Sequence, residues 1–179
     1  MHSKYIPPAI KLRPKGFTIV ELLIVIIVIA ILAAIVIVAY NGIQAKAAQS
    51  KINSDLATIQ QAIFAARLNN DSPLYTIYPV GGPEGPCLAK ASGIDLATLP
   101  KTDTCWTGYT NFLSAVASAS GVSIQSIVDP WGRPYYVNPN ESENQTDHLC
   151  MNDQIGTYSQ PFVKTTTNVI NIPLYKSTC

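Results

Sequence analysis

The sequence predicts an α+β chain in which a long amino-terminal helix packs on an antiparallel sheet. Leu22–Ala39 is a run of eighteen residues without a charged or polar side chain. Apolar residues then recur at steps of three and four up to Ala66, which is the spacing of one helix face. Beyond residue 134, short β-branched and aromatic segments alternate with turn residues, as is typical of strands.

The helix is predicted to run from Phe17 to about Leu68, a length of roughly 78 Å at 1.5 Å per residue. Its apolar run has the length that crosses about 30 Å of hydrocarbon. Asn69–Pro73 is the predicted stop, and Asn41-Gly42 is the weak point at which a kink or local unwinding is expected. The apolar stripe of the second half comprises Ile43, Ala47, Ile52, Leu56, Ile59, Ile63 and then Phe64 or Ala66.

Glu21 is an acid at the start of this apolar run. The fourteen Leu, Ile and Val residues of the run favour insertion by about 4–8 kcal/mol, and an acid near the helix end costs less than the roughly 2.5–3.5 kcal/mol of a central one. Insertion therefore tolerates Glu21 but does not require it, which indicates a partner for the carboxylate.

The stretch Gly16-Phe17-Thr18-Ile19-Val20-Glu21 resembles the processing site of type IV prepilins. The resemblance implies that prepilin peptidase cuts between Gly16 and Phe17, that the new amine of Phe17 is N-methylated, and that Glu21 guides docking into a filament. The chemistry agrees, because the cut creates a cation and places Glu21 in the first helical turn, where an anion is favoured. At a spacing of four, Phe17 and Glu21 are expected to share one helix face.

Two other interpretations fit this segment less well. A secretory signal peptide cleaved near Ala45-Lys46-Ala47 would have an apolar core of about 7–15 residues, and this run is longer and opens with an acid. A plain single-pass anchor accounts for the length but not for Gly-Phe-Thr followed by glutamate.

The resemblance divides the chain into a leader peptide at 1–16, a membrane-spanning or filament-core half of the helix at 17–40, and an extracellular globular head at 41–179. Positive charge stays on the cytoplasmic side of a membrane, so the basic leader predicts a single-pass protein with its amino terminus inside. Without the four basic residues of the leader, the chain has eight basic and eleven acidic side chains. No basic patch for nucleic acid is evident, and a nucleic-acid partner is left open.

Four cysteines, Cys87, Cys105, Cys150 and Cys179, all fall in the predicted extracellular part. An even count in an oxidising compartment predicts two disulfides. The sequential pairing, Cys87–Cys105 and Cys150–Cys179, is preferred among the three possible ones and would close the carboxyl-terminal region. Zinc is not predicted, because no CxxC or HxxxH spacing is present.

Within the head, short helices are predicted at Ile94–Leu99 and Asn111–Ser118, and strands at His148–Met151, Ile155–Tyr158 and Phe162–Tyr175. The segment Asp129-Pro130-Trp131-Gly132-Arg133-Pro134-Tyr135-Tyr136 resembles a motif of the major pseudopilin of type II secretion. We interpret it as architectural: a turn whose Trp131 fills the junction of helix and sheet and whose tyrosines begin a strand.

No cofactor is predicted. Glu141, Glu143, Asp147 and Asp153 cluster in one polar segment that suits calcium, but no ligand pattern is present and a solvated loop is the simpler interpretation. Asn140 and Asn144 each open a glycosylation sequon.

No catalytic constellation is visible, so the chain is not predicted to be an enzyme. The first hypothesis is a type IV pilin: a homo-oligomer in a helical filament at the cell surface, serving adhesion, motility or DNA uptake. Its partners would be prepilin peptidase, the pilus assembly platform, minor pilins and, before assembly, the membrane. The alternatives are a pseudopilin of a type II secretion or competence machine, and a single-pass membrane-anchored extracellular binding module that does not assemble.

Overall fold

The computed structural model describes residues 16–140 and 151–175. Within these residues, three strands form one antiparallel sheet in the order β1-β2-β3. Helix α1 precedes it, and the architecture is the predicted α+β pilin fold. The elements are α1 (Ile19–Asn70), α2 (Leu74–Ile77), α3 (Glu84–Leu88), α4 (Thr104–Ser120), β1 (Tyr136–Asn138), β2 (Asp153–Tyr158) and β3 (Thr166–Ile172).

Helix α1 is unbroken from Ile19 to Asn70. Its end falls at the predicted stop: Asp71 adopts a left-handed φ of 47°, and the Ser72 N–H donates to the Arg67 carbonyl at 3.2 Å. This is the Schellman arrangement, which satisfies a carbonyl at the end of the helix. The local unwinding expected at Asn41-Gly42 is wrong, because both residues are helical, and a single glycine costs only about 1 kcal/mol relative to alanine within a helix. The alternative expectation of a kink there stays a prediction.

The chain divides into two compact units, residues 1–45 and residues 46–179. In the second unit the buried stripe of α1 begins at Ile52 and packs with residues of α4 and of the sheet. The prediction for Ile43 and Ala47 is wrong, because both are exposed. A helical stripe becomes buried only where another element covers it. The stripe residues in the core are Ile52, Leu56, Ile59, Ala62, Ile63 and Ala66.

The remaining helices differ from the predicted ones mainly in length. Helix α4 is longer than predicted because Asp103 caps it at its start, accepting from the Cys105 N–H at 2.8 Å, and Gly121 ends it with a left-handed φ of 74°. The helix predicted at Ile94–Leu99 is a 3-10 turn at Leu96–Thr98. Helices α2 and α3 lie in a turn-rich stretch for which no helix is predicted.

Strand β2 is two residues longer than predicted and β3 is shorter. Asp153 pairs with Ile172 and Tyr158 with Thr166, with a bulge between Ile155 and Thr157. A further strand is predicted at His148–Met151. Residues 148–150 lie outside the described residues, and Met151 is not in a strand.

The Asp129–Tyr136 motif is architectural in a different way from the one predicted. Trp131 does not fill the helix–sheet junction, because 54% of its surface is exposed. Tyr135 lies there instead: it is buried, and its hydroxyl donates to Asp55 on α1 at 2.7 Å. The pKa of Tyr135 is raised, mainly by burial and secondly by the hydrogen bond to Asp55.

A disulfide joins Cys87 of α3 to Cys105 of α4, which is the first bond of the sequential pairing. Both cysteines are buried in a second apolar cluster with three aromatic residues of the sheet and its connections, Tyr136, Tyr158 and Phe162. Cys150 and Cys179 lie outside the described residues, so the second predicted bond stays a prediction.

Candidate functional site

The predicted processing site lies at the boundary between extended chain and helix. Gly16, Phe17 and Thr18 have no regular secondary structure, and α1 begins at Ile19. The side chain of Phe17 is 82% exposed. A peptide bond between Gly16 and Phe17 therefore lies in non-helical, accessible chain.

Thr18 and Glu21 form a reciprocal cap at the start of α1. The Thr18 N–H and hydroxyl donate to Glu21 Oε2 at 2.8 and 2.7 Å, and the Glu21 N–H donates to Thr18 Oγ1 at 3.2 Å. This is a capping box, in which two side chains satisfy N–H groups that have no partner within the helix. The carboxylate is thus oriented by its own chain.

The capping box corrects one expectation from the sequence. Because the helix starts at Ile19 and not at Phe17, Phe17 and Glu21 do not share a helix face. Thr18 is a site residue that the sequence reasoning missed, although the spacing Thr-x-x-Glu before an apolar run is a recognised signal of a helix start.

The apolar run after Glu21 is exposed in the isolated chain. Helix α1 is, among the described residues, the single helix whose length and composition suit a membrane crossing. From Leu22 to Ile37 every large apolar side chain is about half exposed, at 48–63% of its surface. Such a continuous apolar surface requires lipid or other protein to cover it.

Of the predicted acidic cluster, Asp153 lies within the described residues, and it is not solvated. Its carboxylate is fully buried and forms an ion pair with the buried Arg67 of α1. Arg67 also donates to the Pro173 carbonyl at 2.7 Å. Asp153 is therefore not a solvated loop acid, and its Oδ2 is committed to a cation of the chain. Glu141, Glu143 and Asp147 lie outside the described residues.

The sequon at Asn140 is not presented to solvent. Only 6% of Asn140 is exposed, and its amide group donates to the Asn152 carbonyl at 3.1 Å. The nitrogen that would carry a glycan is thus engaged within the fold. Asn144, in the second sequon, lies outside the described residues.

Comparison with known proteins agrees with the geometry of the amino-terminal segment. Residues 11–37 match the family model described as the prokaryotic N-terminal methylation motif. This match contains Gly16, Phe17 and Glu21 and most of the apolar run.

The chain is similar to proteins of two kinds, type II secretion proteins and pilins or fimbrial proteins. The type II secretion system core protein G of Escherichia coli is 29% identical over 130 residues, which are 72% of this chain and 75% of that protein. The type IV major alpha-pilin of Moraxella bovis is 40% identical over 60 residues, 34% of this chain and 38% of that protein. Fimbrial protein Q of the same organism is 32% identical over 107 residues, 60% of each chain.

The chain thus spans three quarters of the Escherichia coli relative but less than two thirds of either Moraxella protein. No solved structure matches the chain significantly. The methylation motif, the capped apolar helix and these relatives together support a prepilin-like protein, similar to the pilins and pseudopilins, which are structural subunits and not enzymes.

Proposed function

We propose that this chain is the precursor of a type IV pilus subunit, which is cut after Gly16, N-methylated at Phe17 and assembled into a surface filament. The observation that carries the proposal is the coincidence of the methylation motif with a non-helical Gly16–Thr18 segment that opens directly into a capped apolar helix. In this proposal the leader is 1–16, the filament-core half of the helix is 17–40 and the head is 41–179.

The exposed apolar run gives the proposed subunit two successive environments. Before assembly, lipid covers the side chains of the run and the basic leader keeps the amino terminus in the cytoplasm. In the filament, the same side chains pack against those of other copies, which removes them from both lipid and water. Prepilin peptidase, an assembly platform and minor pilins would act on the subunit between these states.

In the proposed function, Glu21 acts from the position that the capping box gives its carboxylate. In the precursor its carboxylate accepts from Thr18 of the same chain. Cleavage after Gly16 leaves the Thr18 amide intact and creates a cationic amine one residue away, so the carboxylate of one subunit would also attract the amine of an incoming neighbour.

The experiment that tests the proposal is mass measurement of the mature amino terminus, together with the yield of sheared filaments. We expect a mature chain that begins with methylated Phe17. Glu21→Gln retains the hydrogen-bonding groups of a capping box but not the charge. We expect this variant to be cut and methylated normally and to enter filaments poorly. An intact leader, or a first residue near Ala47, would exclude the proposal.

A second candidate is the pseudopilin of a type II secretion machine. The match to core protein G, which covers 72% of this chain, favours it, as does the resemblance of Asp129–Tyr136 to a pseudopilin motif. Deletion of the gene separates the two functions. Loss of long surface filaments supports the pilus, whereas loss of a secreted enzyme from the medium, with filaments unchanged, supports the pseudopilin.

A further inference from the structure

The two tryptophans of the chain have opposite environments. Trp106 is buried at 2% exposure and its indole N–H donates to the Leu96 carbonyl at 3.0 Å. Trp131 is 54% exposed, and within the described part of the chain its indole N–H has no hydrogen-bond partner. Leaving a large aromatic side chain in water forgoes the stabilisation that its burial would give.

The loop that carries Trp131 is held in place by the buried side chains of Asp129 and Arg133. Asp129 Oδ1 accepts from the backbone N–H groups of Trp131 and Arg133 at 3.0 and 2.8 Å. The other oxygen, Oδ2, accepts from the Arg133 side chain at 2.7 and 2.6 Å, and both charged side chains are only 1% exposed. Gly132 completes the turn with a left-handed φ of 80°. A fully buried ion pair therefore fixes a five-residue loop whose tip is an exposed indole.

The indole itself is also held in place. The Arg133 guanidinium carbon lies 4.9 Å from the centroid of the Trp131 ring, a cation–π distance. Because Arg133 is buried and paired, it cannot follow the ring if the ring rotates away. Trp131 therefore loses little conformational freedom when a partner covers it, and low entropy loss is what makes a residue an effective anchor.

The loop is fastened to two elements of the head. On one side, Lys51 of α1 donates to the Val128 carbonyl at 2.6 Å. On the other side, Arg133 donates to the carbonyls of Tyr158 and Ser159 at 3.4 Å. The Trp131 loop is therefore tied both to the head half of α1 and to the end of β2.

We propose that Trp131 anchors a contact between the heads of two copies of this chain in the assembled filament. The proposal rests on the proposed function, because in a filament of pilin type every head meets further copies at fixed positions. The neighbouring copy would present apolar side chains to the ring and a carbonyl or carboxylate oxygen to the indole N–H. A second copy is favoured over other partners because the Trp131 loop is fixed to the head, and in the proposed filament the surfaces next to one head are those of further copies.

The test uses the full-length chain in cells that assemble it. We expect Trp131→Ala to lower the yield of sheared filaments at least about tenfold, and Trp131→Phe to restore part of it. Mature Phe17 and the Cys87–Cys105 bond should remain unchanged in both variants. The matched control is Val80→Ala, since Val80 is another exposed apolar residue, at 79%, in a different loop.

A photo-crosslinking phenylalanine analogue in place of Trp131 identifies the partner directly. A crosslinked product with the mass of two copies, absent when the analogue replaces Val80, supports the proposal. Crosslinking to lipid or to a different protein overturns it, as does an unchanged filament yield in Trp131→Ala. Failure of the wild-type chain to form any filament would instead contradict the proposed function, so the two failures are distinguishable.

Discussion

At the residue scale, the Arg67–Asp153 pair joins parts of the chain that are 86 residues apart. Arg67 lies in the last turn of α1 and Asp153 opens β2, and both side chains are at most 1% exposed. The pair therefore links the end of the helix to the start of a strand, while the bond from Arg67 to the Pro173 carbonyl adds the chain after β3. Removing one member of such a pair leaves the other charge buried.

We expect Arg67→Met to lower the free energy of unfolding by about 3–5 kcal/mol, because Asp153 would stay buried without its cation. Urea unfolding of the purified chain in detergent, followed by tryptophan fluorescence, measures the change. Lys51→Met is the comparison: Lys51 pairs with Asp55 and donates to the Val128 carbonyl, but its side chain is half exposed, so we expect a loss of only about 0–1 kcal/mol. Equal effects of the two variants would contradict the assignment.

At the element scale, helix α4 depends on one acid at its start. Asp103 accepts from the Cys105 N–H and from the Lys90 ammonium, each at 2.8 Å. The hydrogen bond from Lys90 and then that from the Cys105 amide lower the pKa of Asp103. Both favour the charged form of the carboxyl.

This lowered pKa predicts a pH dependence. In the folded chain the pKa of Asp103 lies below its unfolded value of about 3.9, so its contribution to stability is complete above that value and is lost as the pH falls through the folded pKa. Asp103→Asn keeps a capping side chain without the charge. We expect wild type to have the higher Tm at neutral pH and the difference to vanish in acid. Lys90→Met should remove most of the same difference, and a gap that persists in acid would refute this explanation.

The disulfide also acts between elements, because it joins α3 to α4 across a sequence separation of 18 residues. Replacing Cys87 and Cys105 by serine releases that loop in the unfolded chain. We expect a loss of about 3 kcal/mol in the free energy of unfolding. Urea titration of the oxidised wild type and of the double variant gives the difference. A difference below roughly 1 kcal/mol would indicate that the apolar cluster alone holds these helices.

At the scale of the whole molecule, the two compact units have opposite solvent preferences. Residues 46–179 contain both apolar clusters and the described disulfide. Within residues 1–45, the apolar side chains of Leu22–Ile37 are exposed. Only the second unit therefore has what a chain needs to fold in water.

We expect a chain that begins at Lys46 to fold in water without detergent, to form the Cys87–Cys105 bond in an oxidising compartment and to unfold cooperatively. Circular dichroism during heating and peptide mapping of the disulfide measure these properties. The full-length chain, by comparison, should remain in the membrane fraction after alkaline extraction. A truncated chain that aggregates or melts gradually would show that the head needs the residues before Lys46.

The sequence by itself determined the α+β class and the extent of α1 to within two residues at each end, and it favoured Cys105 as the partner of Cys87 among three possible pairings. These follow from periodicity, composition and short spacings, which act between residues close along the chain. Only the tertiary structure decided that Asp153 pairs with Arg67, that Asn140 is buried, and that Trp131 faces outward while Tyr135 lies against α1. Burial and charge pairing depend on which distant segments meet, and the local pattern around each residue does not contain that information.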